Sequence, residues 1–268
     1  MVIGLLVIGQ KEGAVIVASD SGGFSNLGFK YQRDLEPGEI VLLKNGQLEI
    51  VDKMQSEKIQ ICSFLWVYTN FPAAIFKGIP VSIVRKKLGA ILAQRDIEKG
   101  FTPDIVVPIP DSGRFCAIGY HQEFCRQMNT GKIKRIPEYD EVLLKYPYAG
   151  RSYLPLIPKK RELEAHIKLL PSSENYIGKE VVVCDDSIRR GTQIQKLDLK
   201  LRSLGIKGIH LRISNPDSLS YCPWGKTIRK GELLASRIPK IEERIKFLGV
   251  ESLEHTSINE LTQAIGLP

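Results

Sequence analysis

Two adjacent aspartates, Asp185 and Asp186, stand where a continuous apolar run meets a short polar stretch. The run, residues 181–184, has the unbroken hydrophobicity of a strand that is buried on both faces. The stretch, residues 187–193, offers hydroxyls and backbone N–H groups ahead of a helical pattern, and phosphates bind at such helix N-termini. Adjacent carboxylates repel each other, and sugar hydroxyls together with hydrated Mg²⁺ would satisfy both of them.

The same residues also have a plainer interpretation, which the local pattern leaves open. Asp186 or Ser187 would cap the helix through its side-chain oxygen. Asp185 would then face the solvent and bind nothing. A second polar turn at the same edge of the sheet would favour the ligand-binding interpretation.

Such a turn follows a second strand pattern. Residues 104–110 are nearly all apolar and lead into Asp111-Ser112-Gly113-Arg114 and then into a helical pattern. The turn exposes backbone donors ahead of a helix N-terminus, and Arg114 adds positive charge. Pro-Asp-Ser-Gly alone is a common turn. Two such turns predict one binding edge, because open α/β sheets bind ligands beyond the carboxyl ends of their strands.

The formal net charge of +8 favours anionic partners, which include nucleic acid, phosphorylated metabolites and acidic lipid. Residues 132–161 contain eight basic residues and three acidic ones, with tyrosines, prolines and glycine among them. Three interpretations of this segment stay open. It is a platform for nucleic acid, a loop that gathers anions, or a solvated basic surface.

Predicted helices and strands alternate from about residue 59 onward. The helical segments are residues 81–94, 113–128 and 194–204, and the strands are residues 104–110, 179–184 and 209–213. This order predicts an α/β fold with a doubly wound, mostly parallel sheet. Residues 237–268 are predicted to hold two amphipathic helices.

The first 52 residues show no long helical pattern. Their short apolar runs predict strands at residues 3–8, 14–19, 40–43 and 48–51. The Asn45-Gly46 step between the last two runs is a strong hairpin signal. A small all-β segment is therefore predicted at the N-terminal side of the parallel sheet.

Cysteine usage and hydropathy predict a soluble cytoplasmic protein without a membrane span. The five cysteines are odd in number and lack the spacing of a disulfide framework. The opening apolar run, residues 2–8, is too short for a signal peptide or a membrane helix. The four histidines show no metal-ligand spacing, and no Walker, dinucleotide-binding or nucleophile-elbow motif is present.

Type I phosphoribosyltransferases carry a signature that resembles the run Asp185-Asp186-Ser187-Ile188-Arg189-Arg190-Gly191-Thr192. The amidophosphoribosyltransferase family resembles it most, although Arg189 and Gln193 replace the usual valine and threonine. The resemblance implies that Asp185 and Asp186 hold the ribose hydroxyls of phosphoribosyl pyrophosphate together with Mg²⁺. It also implies that the loop from Ser187 to Thr192 holds the 5′-phosphate, while Asp111 to Arg114 meet the pyrophosphate.

The basic segment resembles the flexible loop of that family, which closes over the substrate and excludes water. The residues expected to act on closure are Lys145, Tyr148, Arg151, Arg161 and Lys168. Tyr146-Pro147 stands where the family has an asparagine–arginine pair. This substitution leaves closure, ammonia channelling and the choice of acceptor open.

The resemblance divides the chain into three parts. Residues 1–55 resemble the last portion of the family's N-terminal glutaminase domain, residues 56–236 its transferase domain, and residues 237–268 form a C-terminal helical extension. Glutaminase chemistry in the family needs an N-terminal cysteine, and this chain begins Met1-Val2, so glutaminase activity is expected to be absent.

One branch of the family carries an iron–sulfur cluster, and Cys62 and Cys222 fall where two of its ligands lie. The paired cysteines near the C-terminus of that branch have no counterpart here. Two thiolates do not complete a four-cysteine site, so no iron–sulfur cluster is expected. Both cysteines are expected to be buried thiols.

The resemblance implies a homo-oligomeric phosphoribosyltransferase that uses Mg²⁺ and transfers phosphoribosyl to ammonia or another small amine, free or supplied by a separate glutaminase. Two alternatives stay open. The chain is a non-catalytic regulator that senses phosphoribosyl pyrophosphate and binds nucleic acid, although no helix-turn-helix pattern is present. Otherwise it is an inactive subunit that pairs with a full-length homologue.

Overall fold

The structure, a computed structural model, describes residues 6–54, 60–145, 169–171, 176–220, 222 and 231–267. The chain divides into two compact units, one of Met1–Arg85 with Thr262–Pro268 and the other of Lys86–Leu261. The division predicted from the sequence, at residues 55 and 236, stays a prediction. No helix in the described parts of the chain is long and apolar enough to cross a bilayer.

The first unit is built from short antiparallel strands. Its strands are β1 (Val7–Lys11), β2 (Ala14–Ala18), β3 (Lys30–Asp34), β4 (Glu39–Lys44), β5 (Gln47–Lys53), β6 (Ile75–Phe76) and β7 (Ile79–Pro80). The first three form a sheet in the order β2-β1-β3, and β4 and β5 form the hairpin predicted from Asn45-Gly46. Strand β1 continues through the polar residues Gln10 and Lys11, because both pair with β2 and Gln10 also pairs with β3.

The second unit contains the parallel sheet. Its strands are β8 (Ile105–Pro108), β9 (Glu138–Tyr139), β10 (Leu143–Lys145), β11 (Leu169–Pro171), β12 (Glu180–Asp185), β13 (Gly208–Ile213) and β14 (Ser252–His255). Five of them form one sheet in the order β14-β13-β12-β8-β9, and every neighbouring pair is parallel. This confirms the predicted α/β class with a mostly parallel sheet and a small N-terminal β segment.

Six α-helices are found in the described residues. They are α1 (Val81–Glu98), α2 (Arg114–Asn129), α3 (Thr192–Arg202), α4 (Leu234–Arg237), α5 (Ile241–Leu248) and α6 (Ile258–Ile265). The region after residue 237 therefore holds two helices, as predicted, with strand β14 between them. The four residues of β14, Ser-Leu-Glu-His, include a single apolar side chain, which is why the hydrophobic pattern gave no strand signal.

Two cysteine expectations are wrong. Cys62 and Cys222 are both exposed, whereas they were expected to be buried. The buried thiols are instead Cys116 on α2 and Cys184 on β12, which lie in the apolar layer between these elements. The positions that match the family's cluster ligands are thus on the surface of this chain.

A buried charged network holds helices α1 and α2 on one face of the sheet. Arg212 on β13 is 3% exposed and donates two hydrogen bonds to Asp96 on α1, with N–O distances of 2.6 and 2.7 Å. The Tyr120 hydroxyl on α2 donates to the same carboxylate at 2.5 Å. Burial raises the pKa of Tyr120 well above its ordinary value, so the phenol stays a donor.

Removing one partner of this network should be costly. We expect Arg212→Met to lower the free energy of unfolding by about 3–5 kcal/mol, because Asp96 is left as an uncompensated buried charge. The matched control is Arg135→Met, which breaks an exposed pair with Asp104 and should cost about 1 kcal/mol or less. Urea unfolding checks both. Equal losses of unfolding free energy in the two variants would contradict the stabilising role of the buried Arg212–Asp96 pair.

Candidate functional site

The pairing register of two central strands brings the predicted binding turns together. Strands β12 and β8 are parallel, with Val183 opposite Val107 and Cys184 opposite Pro108. Past the end of β8, the N–H of Ile109 donates to the carbonyl of Cys184 at 2.9 Å. The main chain therefore leaves the sheet at neighbouring positions after β8 and after β12, and the two loops begin side by side.

Gly113 makes this close approach possible. A Cβ atom at this position would lie 2.1 Å from the carbonyl oxygen of Cys184, so any side chain would force the loops apart. The neighbouring Ser112 hydroxyl donates to Oδ1 of Asp185 at 3.4 Å. The Pro110–Asp111 peptide bond in this loop is cis. The structure thus brings Ser112 and Gly113 against the end of β12, as the sequence predicted for a shared edge.

The two aspartates form a tight carboxylate pair. The N–H of Asp186 donates to Oδ1 of Asp185 at 2.8 Å, and the Ser187 hydroxyl donates to Oδ1 of Asp186 at 2.5 Å. Desolvation, followed by the repulsion of Asp186, raises the pKa of Asp185 well above its ordinary value. Within the described residues, no lysine, arginine or histidine forms an ion pair with either carboxylate. The pair therefore attracts hydroxyl donors or a cation.

The loop after the aspartates is shaped by one glycine and held from behind. Gly191 has a φ of +81°, a left-handed conformation that favours glycine, and helix α3 begins at the next residue. Leu234 donates its N–H to the carbonyl of Arg189 at 2.7 Å. Ile188 is buried in the core. Backbone N–H groups at the start of α3 thus lie in a fixed loop.

Two arginines of the predicted site are paired with glutamates. Arg114 donates to Glu141 through two nitrogens, at 2.7 and 2.9 Å. Arg190 pairs with Glu232, and the backbone carbonyl of Arg190 accepts a hydrogen bond from Arg237 at 3.3 Å. Sequence reasoning missed both glutamates, because they lie 27 and 42 residues from their partners and no local pattern links them.

The residues expected to act on closure receive no structural test. Lys145 ends strand β10, whose backbone pairs with β11 at Leu169. Tyr148, Arg151, Arg161 and Lys168 lie outside the described residues. Their role stays a prediction. Among the described residues, no group of three or more histidine, cysteine or carboxylate side chains could hold a metal ion.

A parallel sheet with these two loops at its carboxyl edge defines a type I phosphoribosyltransferase fold. The chain superposes with a TM-score of 0.80 on glutamine phosphoribosylpyrophosphate amidotransferase from Bacillus subtilis complexed with ADP and GMP, at 31% identity. That match covers 98% of this chain and 55% of the other. A second solved structure, described as the allosteric regulatory enzyme of purine biosynthesis, also gives a TM-score of 0.80, with 30% identity.

Sequence relatives agree with the structures. The chain is 36% identical to amidophosphoribosyltransferase of Methanocaldococcus jannaschii over 278 residues and 32% identical to that of Archaeoglobus fulgidus over 260 residues. Each match covers 97% of this chain, but 56% and 54% of the relative. No protein-family model matches the chain.

The resemblance to the amidophosphoribosyltransferase family is confirmed by these matches. The chain is homologous to amidophosphoribosyltransferases, and it spans about half the length of the curated relatives it matches. What the relatives' names say of their activity applies to those whole proteins.

Gly113 gives a direct test of how the loops are held together. We expect Gly113→Ala to lower the free energy of unfolding by about 1–3 kcal/mol, because the new methyl group overlaps the carbonyl of Cys184. Gly23→Ala is the control, since a Cβ at Gly23 meets nothing within 4 Å and should change stability by about 0.5 kcal/mol or less. Urea unfolding measures both. A Gly113 variant as stable as the control would show that the loops are not in contact.

Proposed function

We propose that this chain binds phosphoribosyl pyrophosphate between its two loops and transfers phosphoribosyl to ammonia or another small amine. The contact between Ser112 and Asp185 carries this proposal, because it joins the carboxylate pair to the second loop. The carboxylates of Asp185 and Asp186, which can accept hydrogen bonds from sugar hydroxyls, thus lie next to the backbone N–H groups of both loops. A ribose with a phosphate on one side and a pyrophosphate on the other matches that order of groups.

The parts of the ligand follow from the chemistry of each loop. Asp185 and Asp186 would accept hydrogen bonds from the ribose hydroxyls. The N–H groups from Ser187 to Thr192, at the positive end of α3, would hold the 5′-phosphate. The loop from Asp111 to Gly113 precedes the N-terminus of α2 and would hold the pyrophosphate in the same way.

The donor set fits a magnesium ion that is shared with the substrate. Mg²⁺ is usually bound by one or two carboxylates, by substrate phosphates and by water, rather than by a complete protein cage. Asp185 and Asp186 supply two carboxylates, and neither forms an ion pair with a basic side chain in the described part of the chain. When bound, Mg²⁺ would stabilise the charge that develops on the departing pyrophosphate.

The proposed reaction is a displacement at the anomeric carbon of the ribose. The amine nitrogen forms a bond to that carbon as the carbon–oxygen bond to pyrophosphate breaks, and the bonding electron pair leaves with the pyrophosphate. The amine then loses a proton to water. Protein side chains need not act as nucleophiles, because positioning and electrostatic support carry the rate.

The first test of this function measures turnover. We expect the purified chain to release pyrophosphate from phosphoribosyl pyrophosphate when Mg²⁺ and ammonium are present, and to stop when EDTA removes the metal. We expect no pyrophosphate release when glutamine replaces ammonium, because the proposed reaction uses ammonia that is free or supplied by a separate glutaminase.

Other outcomes of this assay separate the alternatives. Absence of pyrophosphate release with every amine tried would contradict the transferase proposal. Binding of phosphoribosyl pyrophosphate without turnover, together with salt-dependent binding of nucleic acid, would favour the regulator. Turnover that requires a co-purified homologue would favour the inactive subunit.

The second test addresses the carboxylate pair. We expect Asp185→Asn and Asp186→Asn each to weaken phosphoribosyl pyrophosphate binding by about 10- to 100-fold, because a charged acceptor of the ribose hydroxyls is lost. Asp52→Asn on the exposed hairpin removes the same charge elsewhere and should leave affinity unchanged. Isothermal titration calorimetry in the presence of Mg²⁺ measures all three. Unchanged affinity in both site variants would contradict the proposed ribose site.

A further inference from the structure

Arg114, the first residue of α2, is committed to a carboxylate outside its own loop. Its Nε lies 2.7 Å from Oε1 of Glu141 and its Nη2 lies 2.9 Å from Oε2, which is a bidentate pair. Its Nη1 lies 3.7 Å from Oδ1 of Asp111. The guanidinium therefore bridges Glu141 and the beginning of the loop, and the residues between Asp111 and Arg114 are Ser112 and Gly113.

Glu141 is itself held in a fixed place. Tyr139 pairs with β8 at Val106, and its hydroxyl lies 3.4 Å from Oε1 of Glu141 as a donor. The next residue, Asp140, donates its N–H to the carbonyl of Val106 at 3.1 Å. On the other side, Val142 is completely buried. Glu141 is thus anchored to the edge of the sheet that carries the loop.

Asp140 adds a second anchor to the same segment. Its Oδ2 accepts a hydrogen bond from the Tyr176 hydroxyl at 2.6 Å. Desolvation raises the pKa of Tyr139 to about 12, with a smaller effect from the charge of Glu141, so this phenol stays protonated beside the carboxylate. The Asp140-Glu141 step therefore has little freedom to follow Arg114 toward a ligand.

The charge balance opposes a direct role of Arg114 in binding pyrophosphate. One guanidinium faces the carboxylates of Glu141 and Asp111, so its positive charge is already compensated. A phosphate group would have to compete with a bidentate carboxylate for the same nitrogens. The N–H of Gly113 donates to the carbonyl of Ile109 at 2.8 Å, so the backbone donors for a phosphate are those of Ser112 and of the first turn of α2.

We infer that Glu141 is a positioning residue, which holds Arg114 as a strut so that Ser112 and the first turn of α2 present their backbone donors to pyrophosphate. This inference rests on the proposed function. It replaces the expectation that Arg114 contributes its charge to the ligand. The strut ties Arg114, at one end of the segment that contains Ser112 and Gly113, to Glu141, and Asp111 at the other end lies 3.7 Å from the same guanidinium.

The strut and a purely electrostatic effect of Glu141 predict opposite changes in pyrophosphate affinity for Glu141→Gln. Glu141→Gln removes a negative charge near the pyrophosphate, so electrostatics alone would tighten binding. Loss of the strut should instead weaken binding of inorganic pyrophosphate and of phosphoribosyl pyrophosphate, each by about tenfold. Ribose 5-phosphate lacks the pyrophosphate and should bind Glu141→Gln as it binds the wild type.

The test is titration calorimetry of these three ligands, with Mg²⁺, against Glu141→Gln, Arg114→Gln and the double variant. The strut predicts that the double variant binds no more weakly than either single variant, since both lose the same interaction. Glu138→Gln is the control, because it removes an exposed carboxylate on the neighbouring strand β9. It should change no affinity by more than about twofold.

Four results would overturn the inference. Glu141→Gln binds pyrophosphate more tightly, weakens binding of all three ligands equally, or behaves like the control, or the double variant shows additive losses. Equal weakening of all three ligands indicates a general structural role. A wild type that binds none of the ligands defeats the proposed function, and the inference falls with it. A wild type that binds them while Glu141→Gln behaves like the control defeats the inference alone.

Discussion

The parallel pairing of β8 with β12 is the constraint on which the candidate site depends. A register that places Cys184 opposite Pro108 ends the two strands within one residue of each other. The main chain then turns out of the sheet twice at the same edge, and Gly113 fills the narrow space beside the carbonyl of Cys184. A shift of one residue would separate the loops and point alternate side chains to the other face.

The charges at this edge indicate how an anion would be bound. The carboxylates of Asp185 and Asp186 have no cationic partner in the described chain, whereas Arg114 and Arg190 are matched with glutamates. The positive charges of Arg114 and Arg190 are therefore already compensated. In the proposed function, the phosphates would also depend on helix N-termini and on a metal ion shared with the carboxylates. The net charge of +8 bears on attraction of anions from solution rather than on their contacts.

Much of this arrangement could be predicted from the sequence, because apolar runs and turn residues are local signals. Strands β8 and β12 followed from continuous hydrophobicity, and Gly191 and Gly113 marked the turns. Strand β14 could not be predicted, since its single leucine gives no pattern and its pairing with β13 is set by tertiary contacts. The pairing of Arg114 with Glu141 was equally hidden, because it depends on β9 joining the sheet beside β8.

Backbone amide chemical shifts measured by nuclear magnetic resonance show whether the two loops form one ligand site. Titration with phosphoribosyl pyrophosphate and Mg²⁺ is predicted to move the amide signals of Gly113 and Gly191 together, with the same dissociation constant. Ribose 5-phosphate is predicted to move Gly191 and to leave Gly113 nearly unchanged. A titration in which phosphoribosyl pyrophosphate moves the signals of one loop only, or of neither, would show that the loops do not form one site.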